Sequence, residues 1–373
     1  MTEILVLGAG YAGLAAAANL AGRTKRRDDV RVTVVNGSGR FTERLRLHST
    51  AAGNATAGFE LRELAAKAGI EFVEGWVTSV DAGGREVRLD DGRSLSFDTL
   101  VWALGSAADT SEVPGAAENA YTLDSRADAE ALAAKLGGRQ EVVVCGTGLT
   151  GVETAAEIAE RHPGSTVHLV GRDQPGASLT PEARAYLRAA LTRLKIQVHS
   201  GAEIRKVTAH AVDDLAADVI VWTAGTRVSP MAAAAGLTVD ARGRIVTDPS
   251  LRSVSHPHVY AVGDAAAVRQ KYGLMHGTCQ GGMPTGVHAA ASIARELDGR
   301  APQEFRFGYY HAPISLGRRD AVVQFTRADD SPRRAFLTGR AAVWYKETVT
   351  SAPWPTYGWM IRFPRLTAWW PHG

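Results

Sequence analysis

Cysteine is nearly absent: the 373-residue chain carries two, Cys145 and Cys279. Two thiols cannot build a disulfide framework or a zinc site of paired cysteines, so no metal is expected. Their scarcity points to a reducing, cytoplasmic setting. An excess of one charge is also missing. Lys and Arg number 42 against 39 Asp and Glu, and the basic runs Arg23–Arg27 and Arg333–Arg334 are short. Nucleic acid is therefore not an expected partner. No uninterrupted apolar run of about 18 residues occurs, so no spanning helix is expected. The apolar stretch at Ile4 has neither the basic segment nor the cleavage site of a secretory signal.

Glycine, by contrast, is abundant, with 39 residues. "EILVLGAG" reads as a buried parallel strand entering a glycine turn, "YAGLAAAANLAGR" as a helix, and "VRVTVVN" as a second strand. Gly8, Gly10 and Gly13 have the G-x-G-x-x-G spacing in the strand–turn–helix setting that a dinucleotide fingerprint requires. The first glycine permits the turn, the second lets the backbone approach a pyrophosphate at the helix N-terminus, and the third lets helix and strand pack closely.

The pattern repeats. "EVVVCGTGLTGVE" places Gly146, Gly148 and Gly151 in the same spacing between a strand and a helix, with Glu153 following. Each unit ends in an apolar strand and a small-residue turn, Leu104–Gly105–Ser106 and Ala224–Gly225–Thr226. The acid that takes ribose hydroxyls at the end of the second strand is missing from both. The first unit has Asn36, whose amide can accept one hydrogen bond and donate another. The second has Gly171 followed by Arg172, which removes repulsion against a 2′-phosphate and leans toward NADPH over NADH. Arg172 reads equally as a solvated loop residue. Between the units, residues 76–106 suggest a small β-meander. Beyond them, "HPHVYAVGDAA" ends a strand at Asp264, "MPTGVHAAASIARELDG" reads as a helix, and the chain from about Phe305, including "RAFLTGRAAVWYKE", reads as β-rich.

Two fingerprints, the paired strand ends and Gly263–Asp264 together resemble the FAD-dependent pyridine nucleotide-disulfide oxidoreductase superfamily. The resemblance implies an α/β fold of two Rossmann-like domains. A discontinuous FAD domain, 1–109 and 236–304, would surround an NAD(P)H domain, 110–235, and a small β-rich C-terminal domain, 305–373, would follow. It implies FAD and either NADPH or NADH as cofactors. Gly8, Gly10, Ala12, Gly13, Asn36, Arg44, Val77, Ala103, Gly105, Gly263, Asp264, Met283 and Pro284 would lie at the flavin nucleotide. Gly146, Gly148, Gly151, Arg172 and Gly225 would lie at the nicotinamide nucleotide.

Disulfide reductases of the superfamily carry a Cys-x-x-x-x-Cys on the helix after the second strand. Here that stretch, "RFTERLRLHSTAAG", has no cysteine. Cys145 reads as a core thiol, and Cys279 alone cannot form a dithiol relay. The cysteine-free pattern is similar to type II NADH dehydrogenases and apoptosis-inducing-factor-like flavoproteins. Met283–Pro284 replaces a Gln-Gln pair common in the quinone reductases, and Gln280 remains as a polar contact there. The catalytic candidates are His48, where the redox cysteines would lie, and Glu153, a position that tends to reach the nicotinamide. Their plain readings are an ordinary histidine and a helix-start acid.

The expected activity is hydride transfer from NAD(P)H to FAD, then electron transfer to a quinone or other small acceptor. The alternatives are a ferredoxin-type carrier reductase, docked through Arg318, Arg319, Arg333 and Arg334, and a slow-turnover NAD(P)H sensor. The tail, with Trp354, Tyr357, Trp359, Phe363, Trp369 and Trp370, suits packing against the protein or a homodimer partner, or peripheral membrane contact. Pro353, Pro355, Pro364 and Pro371 argue against a clean amphipathic helix in it.

Overall fold

A computed structural model describes residues 1–366 and 370–371. Strand β1 (Thr2–Leu7) leads through a glycine turn into α1 (Tyr11–Thr24) and β2 (Val30–Asn36). A short helix α2 (Leu47–Ala51), then α3 (Leu61–Ala68) and β3 (Glu71–Glu74), follow. Strands β4 (Val77–Asp81), β5 (Glu86–Leu89) and β6 (Ser94–Ser96) form an antiparallel meander, and β7 (Thr99–Trp102) leaves it. Next come α4 (Arg126–Lys135), β8 (Glu141–Cys145), α5 (Leu149–Arg161) and β9 (Thr166–Gly171). They are followed by α6 (Pro181–Arg193), β10 (Gln197–Ser200) and β11 (Val219–Trp222). The chain then adds β12 (Val259–Ala261) and α7 (Cys279–Leu297). It closes with β13 (His311–Ser315), β14 (Ala321–Thr326), β15 (Pro332–Thr338), α8 (Gly339–Ser351) and α9 (Pro353–Arg362).

Two parallel sheets result, with corresponding orders. The first runs β12-β7-β1-β2-β3 and the second β11-β8-β9-β10. In each, the fingerprint strand lies between the strand that follows its helix and the strand that closes the unit. Both faces of these strands are covered, which is why they read as near-continuous apolar runs rather than alternating ones. Val6, Leu7, Leu100 and Val101 are buried in the first sheet, and Val142 to Cys145 in the second. The first sheet's fifth strand, β12, arrives only after the second unit is complete.

Helix α1 is unusually rich in alanine because it is covered on several sides. A Cβ at Gly286 of α7 would sit 2.1 Å from the Ala12 carbonyl oxygen, and one at Gly22 would sit 2.6 Å from the Met360 carbonyl oxygen of α9. Small residues thus let α7 and α9 press directly onto α1.

Three segments differ from the sequence expectation. Helix α7 begins at Cys279, a turn before Met283, because the Thr278 side chain caps it by accepting from Gly281 N at 3.2 Å. Pro284 therefore lies inside the helix. "GRAAVWYKE" is the start of α8, not strand: Ala342, Lys346 and Thr350 are buried four residues apart, on one helical face. The tail forms α9 despite its prolines. Pro353 and Pro355 fall in its first turn, where backbone N–H groups have no intrahelical partner.

The inner face of α9, Tyr357 and Met360, is buried, and Trp354 stacks on Phe59 with ring centroids 4.5 Å apart. Trp359 is 61% exposed. Trp369 lies outside the described residues. Among the described residues, no helix is long and apolar enough to cross a membrane.

Candidate functional site

The two glycine turns have matching geometry. Gly8 (φ 93°) and Gly146 (φ 115°) are left-handed, and a Cβ at either would strike the neighbouring strand end, Ala103 O at 2.5 Å or Thr223 Oγ1 at 2.7 Å. A Cβ at Gly13 would fall 1.9 Å from Gly8 O, and one at Gly151 would fall 1.8 Å from Gly146 O. The middle glycines differ in kind: nothing lies within 4 Å of a Cβ on Gly10 or Gly148. Each of these opens α1 or α5 as its N-cap, with no side-chain cap and no acid in the first turn. Open space, uncapped N–H groups and the positive end of a helix dipole are what a pyrophosphate needs, so both turns fit a dinucleotide.

The ends of the second strands are occupied differently. Asn36 Oδ1 accepts from Ala9 N at 2.9 Å, and Nδ2 donates to Ser38 O at 2.8 Å. These bonds brace the turn and leave one Oδ1 lone pair and one Nδ2 hydrogen for a ribose hydroxyl. At Gly171 a Cβ would meet Thr147 Oγ1 at 2.9 Å, so Thr147 fills the space a larger side chain would need. Arg172 is exposed beside it.

The remaining flavin-side candidates gather around the first turn from four parts of the chain. Ala103 packs against Gly8 and Gly13, and Ala12 lies 3.1 Å from a Cβ on Gly263, whose N–H donates to Thr285 Oγ1 at 3.0 Å. Ser106 donates to Asp264 Oδ2 at 2.7 Å, which ties the turn at Gly105 to α7's approach. Gly105 (φ 66°) and Gly225 (φ 75°) close the two units in the same conformation. Arg44 reaches Ser106 O at 2.6 Å and Asp124 at 3.3 Å. Met283 is half-buried and Pro284 buried on α7. Val77 stands apart, in the meander next to Trp76, whose ring covers Gly37. Gln280 is fully engaged by β13 and the residue before it, donating to His311 O at 2.9 Å and accepting from Tyr310 N at 3.2 Å.

Both thiols are held protonated at neutral pH. Burial pushes Cys145 up to about 12. Burial and then the Asp264 charge do the same for Cys279. The two belong to different cores.

A buried charged cluster joins the other candidates. Glu153, one turn into α5, ion-pairs with Lys346 of α8 and accepts from Ser315 N at 2.9 Å. His48 of α2 lies with Nδ1 3.7 Å from Glu153 Oε2. The structure therefore pairs His48 with the helix of the second turn. Burial alone would raise the Glu153 carboxyl, but the Lys346 ammonium and then His48 outweigh it and hold it below its ordinary value. Burial depresses His48 to about 4, against the pull of Glu153, so the ring is neutral near pH 7.

One turn further along α5, Glu157 is 1% exposed and accepts from Asn54 Nδ2 at 3.2 Å. Its other oxygen has no hydrogen-bond partner among the described residues. Burial raises Glu157 to about 7, opposed by Arg318 4.0 Å away and reinforced by Glu160 and Glu153. Sequence reasoning misses Lys346 and Glu157. The four-residue spacing from Glu153 could have signalled Glu157, whereas Lys346 was hidden in a helix that reads as strand.

Two parallel sheets in the same order, each with a pyrophosphate-ready glycine turn, define a double-Rossmann dinucleotide oxidoreductase. The sequence and structural relatives agree. Residues 2–292 match the family described as pyridine nucleotide-disulphide oxidoreductase. An NADH dehydrogenase-like protein of Mycobacterium tuberculosis is 31% identical, over 86% of this chain and 87% of that protein. A type II NADH:quinone oxidoreductase of Staphylococcus epidermidis is 28% identical, over 90% and 92%. In fold, the sulfide:quinone oxidoreductase of Aquifex aeolicus superposes with a TM-score of 0.79 at 17% identity, covering 97% of this chain and 92% of that one. The chain belongs to the pyridine nucleotide-disulphide oxidoreductase family, and it is an FAD-dependent NAD(P)H oxidoreductase.

Proposed function

We propose that this protein is an NAD(P)H:quinone-type reductase in which the Gly8 turn holds FAD and the Gly146 turn holds the nicotinamide nucleotide. The observation that carries the reading is the buried Lys346–Glu153–His48 cluster, assembled from three parts of the chain one turn beyond the second glycine turn. FAD, when bound, supplies the two-electron exchange between the reductant and the acceptor.

Reduction of a quinone to a hydroquinone takes two electrons and two protons. A hydride from NAD(P)H brings both electrons and one proton, so the second proton comes from the protein or solvent. Lys346 Nζ holds a proton next to Glu153 Oε1. His48, neutral beside them, packs against the carboxylate without adding charge. Glu157, poised near neutral pH, lies on the same helix face as Glu153 and offers a reserve proton one turn away. A dithiol route finds no support, because His48 stands in the redox-cysteine segment and the two thiols, both protonated, belong to different cores.

A protein carrier is the weaker reading. Arg318, one of the four arginines that would dock it, is exposed but already lies within 4.0 Å of Glu157 and 3.7 Å of Glu347.

Purified yellow protein given NADH or NADPH with a soluble quinone, a ferredoxin or oxygen tests the proposal. Quinone turnover well above the other two supports it. Comparable or faster ferredoxin reduction, or slow turnover with every acceptor, overturns it.

A further inference from the structure

Helices α1 and α7 start side by side near the first glycine turn and also finish side by side, at their other ends. There, with the turn after α9, they enclose a groove of about 370 Å³. Five arginines line it (Arg23, Arg27, Arg295, Arg300 and Arg365), against one carboxylate, Asp298. The volume lies within the range of small-molecule sites, about 300–1,000 Å³.

Three of the five have structural work that accounts for them. Arg27 bridges Asp29 at 2.8 Å and Asp298 at 3.3 Å, and donates to Leu297 O at 3.0 Å. Arg300 shares Asp298 at 2.5 Å. Arg295 donates to Ala301 O at 2.7 Å. The carbonyls and the acid near the end of α7 are therefore already taken.

Arg23 and Arg365 take no part in that network at the end of α7; Arg23 is held instead by α1 and the turn after α9. Arg23 donates to Asn19 Oδ1 at 2.5 Å and to Pro364 O at 3.4 Å, but meets no carboxylate within 4 Å among the described residues. Arg365 has neither a hydrogen bond nor an ion pair among them. Burial, and then the charge of Arg365, pull Arg23 below its ordinary guanidinium range. Both arginines line the groove, Arg23 partly desolvated, and Asp298 is the one carboxylate among the described lining residues. An oxyanion with several acceptor oxygens would relieve both, since the planar fork of arginine matches phosphate geometry.

We propose that this groove is a binding site for a phosphate-bearing anion, with the phosphate bridging Arg23 and Arg365. The site is separate from both glycine turns, and the proposal stands independently of the acceptor. The phosphate has two possible sources, a soluble phosphate compound or a phospholipid headgroup. The second is favoured by the apolar rim: Leu366 is 74% exposed, and Phe363 packs against exposed Trp359 with ring centroids 5.4 Å apart.

The test uses FAD-loaded protein in saturating NAD⁺, so that both glycine turns are filled. Inorganic pyrophosphate is titrated in by calorimetry. Vesicles of phosphatidylcholine, with and without phosphatidylglycerol, are tested separately by co-sedimentation. Arg23→Gln and Arg365→Gln should each weaken binding about tenfold, and the double variant should abolish it. Arg365 lies in a surface turn, so R365Q should keep its flavin absorbance and turnover and serve as its own folding control. Pyrophosphate binding that needs both arginines identifies a soluble ligand. Binding to the anionic vesicles alone, with the same dependence, identifies a headgroup. The proposal is overturned if neither probe binds, or if binding survives in the double variant.

Discussion

The two glycine turns are near copies in backbone, yet their surroundings diverge. Around the first, small residues bring α7 and α9 against α1, and the neighbouring side chains are Ala12, Thr285, Ser106 and Asp264. Around the second, α5 meets a buried set of acids and bases: Glu153, Glu157, His48 and Lys346. A turn closed over by tight packing of small residues suits a resident cofactor. A turn beside titratable groups suits a reductant that comes and goes and leaves proton accounts to settle. On the proposed assignment, the repeated motif encodes binding, and what packs on the helix behind each copy distinguishes their roles.

The sharpest way to break this comparison is to fill the two third glycines. Gly13→Val and Gly151→Val meet the same backbone clash, so both lose structure locally. G13V should purify colourless, whereas G151V should stay yellow while its reduction by NAD(P)H slows about a hundredfold or more. Absorbance of the purified protein and stopped-flow reduction read the two outcomes. Loss of flavin from G151V alone would reverse the assignment of the turns.

The next effect is on stability. Lys346→Met leaves Glu153 buried beside a neutral His48 and should cost about 3–5 kcal/mol in denaturant unfolding, much of it recovered in the Glu153→Gln/Lys346→Met double variant. No comparable sensitivity is expected from any polar pair at the first turn.

A smaller effect concerns pH. His48, depressed from 6.5 to about 4, makes stability fall as pH drops through that window, because the unfolded chain takes up a proton that the native state refuses. Glu157, raised from 4.5 to about 7, acts in the opposite direction: stability falls as pH rises across that range. Where the windows overlap, the two slopes offset one another. Glu157→Gln should expose the acid-side loss and His48→Leu the opposite slope, each on the order of 3 kcal/mol across its window. Melting temperatures measured at closely spaced pH values would check both. Equal profiles for the two variants would mean that the cluster is not tuned as described.

The smallest expected change is at Arg172. Its replacement by alanine should lower kcat/KM for NADPH about tenfold relative to NADH, as loss of one exposed phosphate contact allows. An unchanged ratio would leave Arg172 a solvated loop residue.

How much of this is legible in the sequence follows from how local each constraint is. The paired parallel sheets are readable because a G-x-G-x-x-G turn fixes strand, turn and helix within a dozen or so residues. The backbone bonds of Asn36 are not, since an amide at a strand end can serve its own backbone and a ligand with the same chemistry. Lys346 is invisible for two reasons. Its helix is rich in aromatic and β-branched residues, which read as strand, and its partner lies almost two hundred positions away. Helix α9 escapes because proline was weighed as a breaker without regard to position, and in a first turn it breaks nothing. Glu157 carries a helix-face signal, but its burial depends on α2 and on Arg318, which no local pattern contains.

The late arrival of β12 and α9 has a consequence for the order in which the molecule is made. As the chain leaves the ribosome, the sheet of β8 to β11 has all its strands once Trp222 has emerged, although Ile314, Leu316 and Val322 complete its core later. The sheet begun by β1 must wait, lacking its edge strand until Ala261 and its cover on α1 until Arg362. The first nucleotide turn to be translated is thus the last to be finished. During synthesis, the alanine face of α1 stays uncovered until α9 emerges.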